Sequence, residues 1–224
     1  MGTAMGALQK PESARKQEFG YVCRACSRCC QHKIIQVNPY EVARLARLKG
    51  MTTGEFRAAH TERGQGAILR RTEATDTCTF LSDKGCSVHS DRPLVCRLYP
   101  LGRRVAEGGM EEWLHATPHP QTAGEYTRKG TIADYITAQG ALPFMRAADA
   151  YAQWVRDASA YLETAEDAAA DDLVDKDAAI TRHCKQKGVP EPSDIEQRRL
   201  LHMEILYRQL NQPGGRDELG NTQK

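Results

Sequence analysis

The amino-acid sequence predicts an α+β fold, in which a small N-terminal module of short hairpins is followed by a helical C-terminal half. Hairpins are predicted because short apolar runs between residues 67 and 105 are interrupted by turn residues such as Asp83-Lys84-Gly85. Helices are predicted because apolar residues recur every three or four positions from Pro143 onward, as on one face of an amphipathic helix. The two parts also differ in composition, since seven of the eight cysteines lie within one stretch of 74 residues in the N-terminal half.

The N-terminal half contains clear signals for the start and end of helices. Asn38 is a favoured N-cap and Pro39 a favoured first helical residue, so a helix is predicted from this point to Gly50, which ends it. The other elements predicted here are a strand at 33–37, a short helix capped by Thr52 or Thr53 and extending through His60, and a strand at 110–115.

The C-terminal half is predicted to be helical throughout. Alanine-rich, acidic sequence continues to about Lys187, Pro190 and Pro192 interrupt it, and Ser193-Asp194 caps a last helix. We therefore divide the chain into four segments: a flexible N-terminus at 1–20, a cysteine-cluster domain at 21–140, a helical region packed on it at 141–211, and a flexible tail at 212–224.

The cysteines form the most informative pattern in the chain. Four of them read Cys23-x2-Cys26-x2-Cys29-Cys30, and Cys78, Cys86 and Cys96 follow. Thiols two residues apart can bind one ion from a single tight loop, which is why this spacing recurs in zinc and iron–sulfur sites. The segment has few large apolar residues, so we predict that a bound metal organises the N-terminal module.

Disulfides are the alternative use of so many cysteines. The first ten residues contain no basic segment followed by an apolar run, so no secretory signal is predicted, and no stretch is apolar enough for a membrane span. We therefore expect a cytoplasmic protein, in which thiols stay reduced and clusters of them usually bind metal. Adjacent Cys29 and Cys30 also suit disulfides poorly, because neighbouring side chains diverge.

The charge is distributed unevenly along the chain. The net charge of +2 combines 18 Lys and Arg against 10 Asp and Glu in residues 1–110 with 13 against 19 in residues 111–224. A positive field around the cysteines would stabilise thiolates. No basic stripe interleaved with aromatic residues and no nucleic-acid reader motif is present, so nucleic-acid binding is not expected. The sequence leaves open whether the protein binds a protein partner.

The ligand count leaves one position to fill, because seven cysteines fall one short of two four-ligand sites. Adjacent Cys29 and Cys30 favour two sites or one polynuclear site over a single ion. His32, His89 and His119 compete for the eighth place, and the spacing of His89 from Cys86 suits a pair of ligands in a turn.

Three further residues have a structural and a functional interpretation. Arg92 and Arg97 flank Cys96, where they either hold the loop through backbone carbonyls or donate hydrogen bonds to cluster thiolates or an anionic substrate. Cys184 lies far from the other cysteines in sequence and is predicted to be a thiol without a role in the cluster.

The cysteine block as a set resembles a known family. Cys23-x2-Cys26-x2-Cys29-Cys30, followed by Cys78-Thr-Phe-Leu, Gly85-Cys86-Ser-Val-His89, Arg92-Pro93-x2-Cys96-Arg97 and Tyr99-Pro100, is similar to the CxxCxxCC cysteine-cluster family of YkgJ-type proteins, described as zinc- or iron-chelating. The resemblance covers roughly residues 20–140. Relatives commonly carry a downstream Cys-Pro-Gly element, and here His119-Pro120 stands in the matching region. The resemblance therefore implies the eight ligands Cys23, Cys26, Cys29, Cys30, Cys78, Cys86, Cys96 and His119, and puts His119 ahead of His89.

The resemblance also implies a function. We predict a cytoplasmic metal-binding protein with an iron–sulfur cluster or zinc, the iron–sulfur cluster being preferred, and such a cluster could make the protein redox active. One alternative is an S-adenosylmethionine-dependent protein-lysine methylase, since the family is said to include enzymes that methylate flagellin lysines. The other is a zinc-stapled interaction module without catalytic activity. The sequence does not decide whether the protein is an enzyme, because no catalytic acid–base pair or cofactor fingerprint can be named.

Overall fold

A computed structural model describes residues 7–62, 67–159 and 175–210. Its helices and small antiparallel sheets confirm the predicted α+β class. The predictions for 160–174 and for the tail at 212–224 fall outside the described residues. Over the ranges described, no helix combines the length and the apolar character that crossing a membrane requires.

Helices and short strands are interspersed along the chain as far as β10, and only helices follow among the elements described. In chain order they are α1 (Pro11–Ala14), β1 (Glu18–Val22), β2 (Gln36–Val37), α2 (Pro39–Lys49), α3 (Thr53–His60), β3 (Ala67–Ile68), β4 (Arg71–Thr72), β5 (Thr77–Cys78), β6 (Leu81–Ser82), β7 (Gly85–Cys86), α4 (Leu94–Leu98), β8 (Leu101–Val105), β9 (Glu111–His115), β10 (Glu125–Thr131), α5 (Ile132–Ala138), α6 (Leu142–Asp157), α7 (Lys176–Lys187) and α8 (Ile195–Leu210).

The strands pair as antiparallel two-stranded sheets. Consecutive strands form β2–β3, β4–β5, β6–β7 and β8–β9, whereas β1 pairs with the distant β10. Arg71 lies opposite Cys78 and Leu81 opposite Cys86, so the two hairpins predicted around these cysteines are present. The strand predicted at 110–115 is β9. The strand predicted at 33–37 is restricted to its last two residues, β2.

The chain divides into two compact units. Unit 1 comprises the residues up to Ile35 together with Leu69–Met145, and unit 2 comprises Gln36–Ile68 together with the residues from Arg146 onward. Segment 36–68 thus clusters with the C-terminal helices, because α2 and α3 pack against α7, and α2 also packs against α8. The sequence-based boundaries at 20, 140 and 211 stay a prediction.

Unit 1 has an apolar core built largely from aromatic side chains. The segment predicted to be flexible contributes to it, because Ala14 and Phe19 are almost fully buried and the ring centroids of Phe19 and Tyr135 lie 4.9 Å apart. Part of 1–20 therefore forms defined structure, α1 and the start of β1. The buried residues of this core are Ala14, Phe19, Tyr21, Leu98, Leu101, Trp113, Ile132, Tyr135, Ile136, Ala141 and Met145.

A buried carboxylate ties distant parts of unit 1 together. Glu111 is fully buried and accepts hydrogen bonds from Arg15 at 2.6 and 2.9 Å, from Arg103 at 2.6 and 3.0 Å, and from the Trp113 indole at 3.2 Å. Burial raises the pKa of Glu111, but the hydrogen bonds and charges of the two arginines outweigh it and hold the pKa below its usual value. The ion pairs compensate for the loss of hydration.

Three helices of unit 2 begin where the sequence predicts. The Asn38 side chain accepts from two backbone N–H groups at the start of α2, and Gly50 ends this helix in the left-handed conformation. Thr52 caps α3 through a capping box with Glu55. The Asp194 side chain accepts from the first backbone N–H groups of α8. Cys184 is buried in an apolar cluster with Ala179, Ile180, Ile205 and Leu201, in agreement with its predicted lack of a site role.

Candidate metal centre

The cysteine-bearing elements of unit 1 are short and are shaped by turns. Cys29 and Cys30 lie in a 3-10 helix at Arg28–Cys30, whereas Cys78 and Cys86 end β5 and β7, and Cys96 lies in α4. Ala25, Ser27 and His32 have positive φ angles of 51, 60 and 53°, which turn the chain sharply on both sides of the first cysteine group. These turns bring the Cys23–Cys30 loop against the hairpins that follow.

All seven clustered cysteines line one cavity of about 150 Å³. Its wall is completed by apolar side chains and two tyrosines, among them Ile35, Leu69, Phe80, Val88, Tyr21 and Tyr99. The structure thus brings together the seven thiols that the sequence predicts as ligands, although up to 73 residues separate them along the chain. Whether each of them binds metal stays a prediction.

The thiols face a shared space and are not gathered around one point. All eight cysteines are free thiols, so this structure contains no disulfide bond. In the part of the chain that is described, no three Cys, His, Asp or Glu side chains are arranged closely enough to hold one ion. The cavity is therefore a donor-lined chamber with room between the sulfur atoms.

The adjacent pair Cys29 and Cys30 is electrostatically unequal. A hydrogen bond from the Cys30 thiol lowers the pKa of Cys29 to about 6, with help from the charges of Lys33 and Arg92 and against the effect of burial. Donating this hydrogen bond, together with burial, strongly raises the pKa of Cys30. Cys29 is thus poised as the thiolate, the form of cysteine that ligates metals.

Other cysteines of the chamber differ in how strongly burial and hydrogen bonds affect their pKa. Burial raises the pKa of Cys78, Cys86 and Cys96. At the rim, burial also raises the pKa of Cys26, but hydrogen bonds from the Arg28 and Ala123 backbone and from Thr122 outweigh it and lower the pKa overall. The N–H of Ala123 lies 3.4 Å and the Thr122 hydroxyl 3.6 Å from the Cys26 sulfur.

Two contributors to the site were not predicted from the sequence. Thr122 reaches both Cys26 and the Tyr21 hydroxyl, the latter at 3.1 Å. Lys33 places its Nζ 3.6 Å from the centroid of the Tyr99 ring and interacts with the charges of Cys29, Cys96 and Cys30. A single threonine or lysine carries no motif, so only its place near a cysteine loop could have drawn attention to it.

The three candidate histidines occupy different positions. His89 lines the cavity, and partial burial together with Arg92 and Arg97 lowers its pKa, which favours the neutral form that binds metals. The Nδ1 atom of His119 accepts the Gln121 N–H at 3.1 Å, and the Nδ1 atom of His89 lies 3.5 Å from the Arg92 guanidinium. His32 is exposed, 3.1 Å from Asp76. The role of His119 as a ligand stays a prediction.

The two arginines that flank Cys96 make mainly structural contacts. Arg97 donates to the backbone carbonyls of Arg92, Gln139 and Ser90, and its guanidinium lies 4.0 Å from the Phe144 ring centroid. Arg92 donates to the His89 carbonyl at 2.7 Å and to the Gln139 side chain at 2.6 Å. Arg92 also lines the cavity, so it combines a structural role with a charge near the thiols.

Comparison with known proteins gives one match. The model of the CxxCxxCC family, described as "Putative zinc- or iron-chelating domain", matches residues 22–117. The matched segment contains all seven cavity cysteines and His89, and it ends before His119. Neither the curated proteins nor the solved structures contain a match.

Proposed function

We propose that the cavity lined by the seven cysteines, all of which lie in the segment that matches the CxxCxxCC family model, holds an iron–sulfur cluster. The single observation that carries this proposal is the meeting of seven free thiols on the wall of one chamber. The family description supports zinc or iron chelation, and the choice of an iron–sulfur cluster is our own.

The donor set and the room in the chamber both fit a polynuclear group. Thiolate-rich sites suit iron–sulfur clusters and zinc alike. The volume of about 150 Å³ is many times the roughly 10–15 Å³ that one water requires. A single ion would leave most of this space unfilled, whereas a cluster of several metal and sulfide atoms would fill it and be reached by cysteines from different walls.

The protein residues around the chamber have separable roles. Cys29, with its pKa of about 6, would be the first thiolate to bind, and Lys33 and Arg92 offset part of the negative charge that ligation builds up. Phe80, Val88 and other apolar side chains limit access of water to the sulfur atoms. An iron–sulfur cluster bound here would supply one-electron transfer, and the protein would tune its potential through these charges and through burial.

Anaerobic purification with metal and sulfide analysis tests the proposal. We expect iron and acid-labile sulfide in stoichiometric amounts and a brown colour that dithionite bleaches. Cys96→Ser should lose metal, whereas Cys184→Ser, which changes a buried cysteine of unit 2, should retain it. Colourless protein with firmly bound zinc would overturn the iron–sulfur assignment, and metal-free protein would overturn metal binding altogether.

The eighth ligand can be tested with a matched pair of variants. The sequence ranks His119 first, but His89 lines the cavity and His119 does not, which supports His89. We therefore expect His89→Ala to lower metal content more than His119→Ala. Full metal content in His89→Ala with a loss in His119→Ala would restore the sequence-based assignment.

A zinc staple without catalytic activity is the second candidate. The pairs β4–β5 and β6–β7 consist of strands of two residues each, which need a cross-link to persist, and zinc could provide it without redox chemistry. The protein-lysine methylase stays a sequence-based prediction, and calorimetric titration with S-adenosylmethionine tests it.

A further inference from the structure

Lys33 lies against Tyr99, a residue of the chamber wall, although Lys33 itself is not one of the residues that line the chamber. Lys33 is partly buried, and its Nζ lies over the Tyr99 ring, 3.6 Å from the ring centroid, which is within the range of a cation–π interaction. The position of the Tyr99 ring is supported by two contacts, since its hydroxyl accepts the His119 N–H at 2.7 Å and its ring forms a T-shaped pair with Tyr21 at a centroid distance of 6.2 Å. The ammonium group therefore lies on an aromatic ring that is also part of the chamber wall.

The charges that act on Lys33 come from thiols. Burial lowers the pKa of Lys33, and Cys29, Cys96 and Cys30 act in the opposite direction. Over the described residues, Lys33 forms no ion pair with a carboxylate. A partly buried ammonium without a carboxylate partner is costly unless another anion compensates for it. Cys29 and Cys30 in one segment and Cys96 in another can supply this negative charge, because cysteines that bind a metal do so as thiolates.

We propose that Lys33 is the internal counter-charge of the metal centre, a positioning residue that offsets the negative charge of the thiolate-bound group. This inference rests on the proposed function, because it requires metal in the cysteine chamber. A fixed cation favours the more negative state of any group beside it, so Lys33 strengthens metal retention and, for an iron–sulfur cluster, raises its reduction potential. Lys33 need not touch the metal to do this, since it acts through the charge of the ligands.

Charge-removal and charge-retention variants test this role. Lys33→Met removes the charge and keeps most of the length of the side chain, and Lys33→Arg keeps the charge. Lys16→Met is the matched control, because Lys16 also belongs to unit 1 but lies outside the chamber lining and is exposed to solvent, where its charge is screened. Metal affinity is measured by competition with a chromophoric chelator, using zinc and cobalt, and any reduction potential by redox titration of anaerobically prepared protein.

We expect Lys33→Met to weaken metal binding about 10- to 100-fold, the range typical of residues that support metal ligands from outside. Lys33→Arg should recover most of the affinity, and Lys16→Met should match wild type. Any cluster potential should shift to lower values in Lys33→Met. Unchanged affinity in Lys33→Met, or failure of arginine to rescue it, would overturn the counter-charge role.

Folding controls keep the outcomes distinct. Circular dichroism of each metal-free variant is compared with that of metal-free wild type, and Lys33→Gln serves as a second neutral variant. If both neutral variants lose more structure than metal-free wild type while Lys33→Arg does not, the charge serves the protein and not the metal, which also overturns the proposal. If the wild-type protein binds no metal, the proposed function itself fails, and this result is separate from the variant comparison.

Discussion

Units 1 and 2 differ in how far their secondary structure is specified by residues that are neighbours in the sequence. In unit 2, α2 and α3 have capping boxes, and α2 ends at a left-handed glycine, so the helix ends are specified by neighbouring residues. In the cysteine part of unit 1, strands β4 to β7 are two residues long and surround a chamber of about 150 Å³. Such short pairs contribute few hydrogen bonds and little apolar burial. The comparison indicates that this part depends on whatever its cysteines bind.

Metal removal should produce the largest difference in behaviour between the two units. Structural zinc contributes on the order of 10 kcal/mol of folding free energy in small metal-organised domains. We expect a chelator to abolish amide protection in residues 23–35 and 71–98, while α2 and α8 keep theirs, as measured by hydrogen exchange with mass spectrometry. Equal protection of the cysteine segments with and without metal would show that they fold on their own.

Breaking the Glu111 network should destabilise unit 1 through a different mechanism. Glu111→Gln removes the charge that compensates Arg15 and Arg103, and loss of one partner of a buried ion pair typically costs about 3–5 kcal/mol. Denaturant unfolding monitored by Trp113 fluorescence measures it, with the exposed Glu107→Gln as the control. Because the folded-state pKa of Glu111 lies below 4.5, its contribution is present above that pH and is lost as the pH falls through the folded-state pKa. Equal stability of the two variants would contradict the network.

Unit 2 contains a buried charge that should work against its stability. Lys176 is fully buried, and among the residues that the structure describes its Nζ has no hydrogen-bond partner. Burial lowers its pKa from 10.5 to about 8, with Arg198 and Arg199 acting in the same direction and Asp177 and Glu196 against them. Between these two pH values the unfolded chain binds more protons, so stability should rise with pH from about 8 to 10.5.

Lys176→Met should therefore stabilise unit 2 at pH 7, by on the order of 3 kcal/mol from the size of this shift. The gain should fade as the pH approaches 10.5, where the wild-type lysine is neutral in both states. Lys185→Met, at an exposed position of the same helix, is the control. A constant difference between wild type and Lys176→Met across this pH range would show that packing and not charge is responsible.

Loss of a helix cap should have the smallest effect. Asn38→Ala removes the acceptor of the Tyr40 and Glu41 N–H groups at 3.0 and 3.1 Å and should cost about 1 kcal/mol. Asn38→Asp keeps an acceptor at the same place and should stay near wild type in thermal unfolding. Indistinguishable melting of the alanine and aspartate variants would mean that packing of α2 overrides its cap.

The sequence by itself determined the features that depend on near neighbours. The start of α2 at Pro39, the Thr52 cap of α3 and the start of α8 after Asp194 follow from side chains that bond to backbone groups two or three residues away. The spacing of Cys23, Cys26, Cys29 and Cys30 likewise identified part of the chamber wall, because cysteines separated by two residues in a turn remain close in any fold.

Only the tertiary structure decided the contacts that join remote segments. Thr122 meets Cys26 across 96 residues of sequence, β1 pairs with β10, and Lys33 lies over a ring that belongs to Tyr99. Part of 1–20 became ordered for the same reason, since Phe19 gains its burial from Tyr135 and other distant partners. These arrangements arise from the packing of side chains that no local pattern links, so they could not be derived from spacing or propensity.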